Sequence, residues 1–256
     1  MRRRIRPVIA RRVHGLWLGL FAASLAVSAA AAGPATSGPG RGESATEQGA
    51  PVVAPSRVDP ATETRPGSAD FAGETASRDA RRVADWVVAS DDNGRLPFVI
   101  VDKVKAKVFV FDDRGRLLGA APALLGRAVG DDSVPGIGHR KLAAIRPEER
   151  TTPAGRFMAA LGHDLKQDIL WVDYDAAISL HRVITGDPTD HRLRRLASAR
   201  PSDRRISYGC INVPVSFYET VVLRAFSGTS GLVYILPETK PIQEVFAIPD
   251  VRASAR

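Results

Sequence analysis

Phe98-Val99-Ile100-Val101-Asp102-Lys103-Val104-Lys105-Ala106-Lys107-Val108-Phe109-Val110-Phe111 holds two runs of β-branched and aromatic residues separated by a charged break. Runs of this kind read as strands, at 98–101 and 106–111. Asp112-Asp113-Arg114-Gly115 supplies turn chemistry, and a third strand is expected around 117–121. Towards the C-terminus, further strands are expected at 156–161, 169–174, 177–182 and 232–236. One helical period stands out after Pro214, where Phe217, Tyr218, Val221, Val222 and Ala225 form an apolar face. The fold class is mainly β with one or two packed helices. The compact domain spans 96–237, roughly 140 residues, enough for one real core.

Towards the N-terminus, Val83, Trp86, Val87 and Ala89 fit a short helix over Arg78–Ser90, so that 79–95 is a helix and connector. Residues 33–78 are rich in Ala, Gly, Pro, Ser and Thr with Phe71 as their one aromatic residue, and read as a disordered linker. Residues 238–256 form a C-terminal tail. At the start of the chain, six arginines precede an uncharged apolar run from Leu16 to Ala32, with Ala30-Ala31-Ala32 as a small-residue cleavage site. Residues 1–32 are therefore a signal peptide, or a signal anchor if uncleaved, and imply export to the periplasm or cell envelope. The formal charge of +8 owes six units to that leader, which leaves the remainder near +2 and removes the electrostatic basis for nucleic-acid binding.

Export makes the single cysteine informative. Cys210, in Ser207-Tyr208-Gly209-Cys210-Ile211-Asn212, has no internal partner for a disulfide, so it is either buried and inert or kept for its reactivity. A nucleophilic thiolate needs a base or a positive field, because free cysteine titrates near ~8.5. Asn212 is a candidate cap for a helix beginning near Val213 and Pro214, whose N-terminus would favour the anion. Among five histidines, His181 alone ends an apolar strand, Ala177-Ile178-Ser179-Leu180, and is the best base candidate. Gly209 allows close backbone approach, and the amides of Tyr208, Gly209 and Cys210 are candidate oxyanion donors. One thiol with widely spaced histidines shows none of the short spacings of a zinc site, so no metal is expected.

Residues 97–236 resemble the L,D-transpeptidase catalytic domain, the YkuD-like fold. The resemblance rests on His181 after a strand, Ser207-Tyr208-Gly209-Cys210-Ile211-Asn212, the opening Ile100-Val101-Asp102-Lys103 and Val108-Phe109-Val110-Phe111, and Thr152-Pro153-Ala154-Gly155-Arg156-Phe157. It implies a β-sandwich or barrel in which Cys210 attacks the carbonyl before a terminal D-alanine of a peptidoglycan stem tetrapeptide. His181 would then be base and later acid, and the backbone carbonyl of Arg182 would orient its ring. Ser207, Tyr208, Gly209 and Asn212 would serve the oxyanion hole and substrate binding, without metal or organic cofactor. The acyl acceptor implied is a stem-peptide amine, a lipoprotein lysine or water. Transpeptidase, L,D-carboxypeptidase and non-catalytic wall-binding readings all follow from such a domain.

Three features depart from the family pattern. Tyr208 stands where the motif has a second histidine, and Asn212 where many members carry a substrate-binding arginine. The spacer after Arg182 is long and holds Arg192, Arg194, Arg195, Arg200, Arg204 and Arg205 against Asp187, Asp190 and Asp203, so that 187–205 reads as a basic lid or a solvated helix at 191–199. Residues 130–150 form a second insertion, with Pro135-Gly136-Ile137-Gly138 and the mixed-charge run Arg146-Pro147-Glu148-Glu149-Arg150.

Overall fold

The computed structural model describes residues 67–249 apart from Leu165, so the leader expected at 1–32 and most of the linker lie outside the described residues. Helix α1 is Arg78–Ser90. It starts where Ser77 Oγ accepts from the Ala80 amide and stops at Asp91, whose left-handed backbone ends the turn. Ala80, Val83, Ala84 and Val87, at helical spacing, are its buried face.

The strands follow as β1 (Phe98–Asp102), β2 (Lys107–Phe111), β3 (Leu117–Pro122), β4 (Leu125–Gly126), β5 (Gly155–Asp164), β6 (Gln167–Asp173) and β7 (Ile178–Arg182). After β7 come the short helix α2 (Arg192–Ala197), β8 (Arg205–Ser207), β9 (Ile211–Val213), helix α3 over 215–226, β10 (Ser230–Ile235) and helix α4 (Ile242–Val245). The middle turn of α3, Tyr218–Val222, is π-helical. Ala106, expected inside the second strand, instead takes a left-handed turn conformation (φ 47°) that lets the chain reverse between β1 and β2.

Eight strands form one sheet in the order β3-β2-β1-β10-β5-β6-β7-β9, antiparallel except for the parallel pairs β1/β10 and β7/β9. The chain leaving β3 crosses to the far edge, where Leu124 and Asn212 exchange both backbone hydrogen bonds, at 2.8 and 2.9 Å. The two edges thus nearly meet and the sheet is barrel-like. β4 and β8 form a separate parallel pair beside this seam.

The central strands are buried on both faces. Val99, Val101, Val108, Val110, Val233 and Ile235 point into one core, which they share with Phe217, Tyr218, Val222 and Phe226 of α3. Phe98, Ile100, Phe109, Phe111, Leu232 and Tyr234 point into a second core on the opposite face. Burial on both sides explains why these strands are continuously apolar rather than alternating. The second core is closed by α1 together with Phe71, Ile242, Phe246 and Ile248. The packed unit is accordingly wider than 96–237: Phe71 from the expected linker stacks edge-on against Phe109 and Phe111, and the expected C-terminal tail contributes α4. Without those pieces, large aromatic surface on β1, β2 and β10 would face water. No helix among the described residues is long and apolar enough to cross a membrane.

Candidate active site

The parallel pairing of β7 with β9 sets Leu180 opposite Ile211 and His181 opposite Asn212. Alternate residues of a strand share a face, so Ser179 and His181 lie on one side of β7, and Cys210 and Asn212 on the same side of the neighbouring chain. Two cross-strand contacts follow. Ser179 Oγ donates to Cys210 Sγ at 3.6 Å, and Asn212 Nδ2 lies 3.4 Å from His181 Nε2. All four side chains line a cavity of about 400 Å³, with Trp171, Ile184 and Leu142 as its apolar walls and Asp164 and Arg192 as its charges.

His181 is buried, and its Nδ1 lies 2.7 Å from the Arg182 carbonyl oxygen. A carbonyl only accepts, so Nδ1 carries the proton and donates, leaving Nε2 as the basic nitrogen. Arg182 itself is fixed: its guanidinium reaches Asp168 and Glu219 and lies 4.4 Å over the Tyr218 ring. Burial lowers the His181 pKa and the charge of Arg192 adds to this, while the bond to Arg182 and the charge of Asp164 oppose it. Burial likewise pushes the Cys210 thiol up, against the amide and hydroxyl of Ser179 and its own amide. Both shifts favour the neutral thiol and the neutral imidazole. The thiol donates to the Ala177 carbonyl at 3.6 Å, and no hydrogen bond joins it to His181 among the described residues.

The loop before Cys210 is held from below. Ser207 Oγ donates to the Cys210 carbonyl at 2.7 Å and accepts from the Gly209 amide at 3.1 Å. Thr152 Oγ1 donates to the Gly209 carbonyl and accepts from the Gly126 amide, both at 2.8 Å. Thr152 in turn is tied to Lys103, a fully buried lysine whose Nζ donates to the Thr152 and Gly130 carbonyls and to Asp131. Gly209 has φ 131°, and a Cβ there would lie 2.6 Å from the Thr151 carbonyl oxygen. Glycine is required for the turn itself.

These contacts revise two expectations. Asn212 does not cap a helix: it lies within β9, α3 starts at Val215 after Pro214, and no side chain caps it. The amide of Asn212 is already engaged by the Cys210 carbonyl, His181 and Arg192. The thiol accordingly gains no helix N-terminus, in keeping with a pKa that is raised rather than lowered. Gly209 cannot serve as an oxyanion donor while its N–H is spent on Ser207, so Ser207 and Gly209 are braces of the loop, and the amides of Tyr208 and Cys210 are the remaining candidate donors.

Each unusual motif residue is met by an arginine from one of the two insertions. The Arg150 guanidinium lies 3.9 Å over the Tyr208 ring, and Arg192 Nη1 donates to Asn212 Oδ1 at 3.1 Å. The expected basic lid shrinks to Arg192. Arg195 and Arg204 are spent on backbone carbonyls and Arg205 on Glu238, while Arg194 and Arg200 lie outside the cavity at a surface hollow. α2 itself is anchored by Leu196 against Leu124 and Val183. In the other insertion, Arg140 and Arg146 converge on Glu149, holding its carboxyl down to about 2, and Leu142 reaches the cavity wall. Ser179 and Thr152 were not singled out from the sequence as site residues. Ser179 carries a legible signal, since it stands two residues before His181 on the same strand face. Among the described residues no group of three or more His, Cys, Asp or Glu is placed to hold a metal ion.

The sequence matches no protein-family model and no curated protein. Solved structures similar to it include the helical cell shape determining protein Pgp2 from Campylobacter jejuni (14% identity, TM-score 0.38, covering 57% of this chain and 49% of that one). Another is the LD transpeptidase LdtMt1 in complex with imipenem (14% identity, TM-score 0.31, covering 55% and 58%). A third is a fused Zn-dependent amidase/peptidase/peptidoglycan-binding domain-containing protein from Clostridium acetobutylicum ATCC 824 (13% identity, TM-score 0.30, covering 64% and 70%). The chain spans about half the length of the first two.

Proposed function

We propose that this protein is an exported peptidoglycan L,D-transpeptidase, with Cys210 as nucleophile and His181 as general base. The observation that carries the reading is the four-residue lattice of Ser179, His181, Cys210 and Asn212 on one cavity wall, with the Arg182 carbonyl fixing the basic nitrogen of His181. In the first half-reaction the thiol turns from the Ala177 carbonyl and gives its proton to Nε2. Sγ then attacks the carbonyl before the terminal D-alanine of a stem tetrapeptide. The amides of Tyr208 and Cys210 face the developing oxyanion. The C–N bond breaks as the imidazolium returns the proton to the leaving amine, which leaves a thioester on Cys210. An acceptor amine then attacks the thioester, losing its proton to His181 and, through it, to the departing thiolate.

A neutral resting pair suits this order, because the thiol is ionised only as the base removes its proton. Intact-mass measurement of the full chain with a stem tetrapeptide tests the reading. A covalent acyl adduct that is absent in Cys210→Ala and His181→Ala is expected, and crosslinked dimer forms when an amine acceptor is added. Adduct formation followed by release of free acid, with no dimer at any acceptor concentration, would make the protein a hydrolase. One feature favours a second reading, a wall-binding domain without turnover: at rest the thiol bonds to Ala177 and Nε2 faces Asn212. Saturable binding of peptidoglycan with no mass shift on Cys210 would establish it instead.

A further inference from the structure

Resting on the reading above for the task of His181, we propose that Arg192 is a positioning residue that acts through Asn212 to reinforce the Nδ1–H form of His181 that the Arg182 carbonyl selects. Four groups are joined in one line: the Arg182 carbonyl, the imidazole, the Asn212 amide and the Arg192 guanidinium, with separations of 2.7, 3.4 and 3.1 Å. The two ends of this line have fixed polarity. A carbonyl only accepts and a guanidinium only donates. The line is therefore satisfied by one arrangement, in which Arg192 holds Oδ1, Nδ2 faces Nε2, and Nδ1 donates to Arg182.

An independent contact agrees with that orientation. Asn212 Nδ2 also donates to the Cys210 carbonyl at 3.2 Å, which the opposite orientation of the amide would forbid. Asn212 is 1% exposed, so water offers its amide no alternative partner. Arg192 is seated before it reaches Asn212, since its Nε donates to Asp190 at 2.8 Å and its side chain is only 16% exposed. A guanidinium held at one edge presents its remaining N–H groups in a fixed direction. Removing Arg192 would leave the amide held in this orientation by the Cys210 carbonyl alone, so that turning it costs one contact fewer. Oδ1 could then accept from Nε2–H, moving the proton to the nitrogen that the chemistry needs bare.

The effect is specific to this insertion, because no other side chain of 187–205 lines the cavity apart from Arg192. The charged and titratable groups facing His181 are Asp164 from the end of β5, Arg192 from α2, and Cys210 and Tyr208 from the β8–β9 loop. Arg192 is thus the one permanent cation among them, and its loss also favours the imidazolium.

The test is NMR of the full chain with 15N-labelled histidine, reading the tautomer and the titration midpoint of His181 without any substrate. Wild type is expected to show the Nδ1–H form. In Arg192→Met the ratio of tautomers should shift towards Nε2–H by about five-fold, the weight of one ordinary hydrogen bond, and the midpoint should rise. Arg192→Lys, which keeps a donor and the charge, should restore much of both. In an Asn212→Ala background the Arg192→Met change should no longer move the tautomer ratio. Asp190→Asn, which loosens Arg192 without touching the cavity, should give a smaller shift in the same direction and replaces Arg192→Met if that variant fails to fold. An unchanged ratio and midpoint in Arg192→Met, or an equal shift with and without Asn212, would overturn the proposal. None of these readings depends on acyl transfer, so failure of the mass experiment and failure of this one are separate results.

Discussion

The guanidinium of Arg150 lies 3.9 Å above the ring of Tyr208, two residues before the thiol and across the boundary between the 130–150 insertion and the motif loop. Arg150 is also tied back to the Ile145 carbonyl by two N–H groups, so the stacked cation is held in place. The pair is expected to be coupled. Tyr208→Ala and Arg150→Ala should each destabilise the protein, and the double variant should cost less than their sum by about 0.5–1 kcal/mol. Tyr208→Phe should be nearly neutral, because the face of the ring is what Arg150 meets. Urea unfolding of the four proteins measures this, and strict additivity would rule the coupling out.

Gly209→Ala is expected to be among the most damaging small changes in the chain. The residue sits at φ 131°, and a methyl group would press on the Thr151 carbonyl oxygen at 2.6 Å and Ile178 Cδ1 at 2.7 Å. Backbone strain of about 1–3 kcal/mol adds to the overlap. The midpoint of chemical unfolding should fall clearly, and the Cys210 loop should lose its bond between Thr152 and the Gly209 carbonyl. A wild-type midpoint would show that the turn tolerates a side chain.

Acyl transfer should have its acid limb below the ordinary histidine value of ~6.5, because burial and Arg192 hold the His181 pKa down. The sign is fixed by the role: as pH falls through the lowered pKa the base becomes protonated and the rate drops. Direct alkylation of Cys210 should run the other way. Its thiol is pushed up by burial, so near pH 8 it should react with iodoacetamide more slowly than a free cysteine. Rates of adduct formation against pH decide both, and a thiol ionised at pH 6 would contradict the neutral resting pair.

Acid stability should depend on Asp131. Although burial opposes ionisation, the ammonium of Lys103, the Thr239 hydroxyl and the amides of Glu238 and Thr239 hold its carboxyl far below the usual carboxylate range. A depressed pKa stabilises the folded state above the unfolded value of ~3.9 and is lost as pH falls towards the folded one. Between about pH 5 and pH 2, wild type should therefore lose stability more steeply than Asp131→Asn, which starts lower and stays flatter. Thermal melts across that range compare the slopes, and equal slopes would remove Asp131 from the account.

Much of this architecture is legible in local pattern. β1, β2, β3 and β10 follow from apolar runs bounded by charged or turn-forming residues, and α1 from Val83 and Val87 at helical spacing. The π turn at Tyr218–Val222 aside, α3 begins where Pro214 predicts. The short strands β4, β8 and β9 are not legible, since two or three residues carry no periodicity and are strands only through distant partners. Cys210 and His181 could be nominated one by one from chemistry. Their placement on a shared cavity depends on the β7/β9 register, and the fate of the Gly209 amide depends on Ser207, which no spacing rule reports. Arg192 stood among six similar arginines in the sequence. Only the fold separates it from Arg195 and Arg204, whose guanidinium groups are turned to backbone carbonyls.

Asn212 belongs to two structures at once. Its backbone closes the sheet against Leu124, while its side chain sets the polarity of His181. The ordering of the base is thus completed by a pairing between residues 88 positions apart in sequence, the kind of contact that a chain forms late because loop closure is costly. A molecule still open at that seam would carry the thiol with an imidazole directed by the Arg182 carbonyl alone. The same closure that brings the sheet edges together would then complete the second contact on the base, so that the finished sheet and the finished site arrive together.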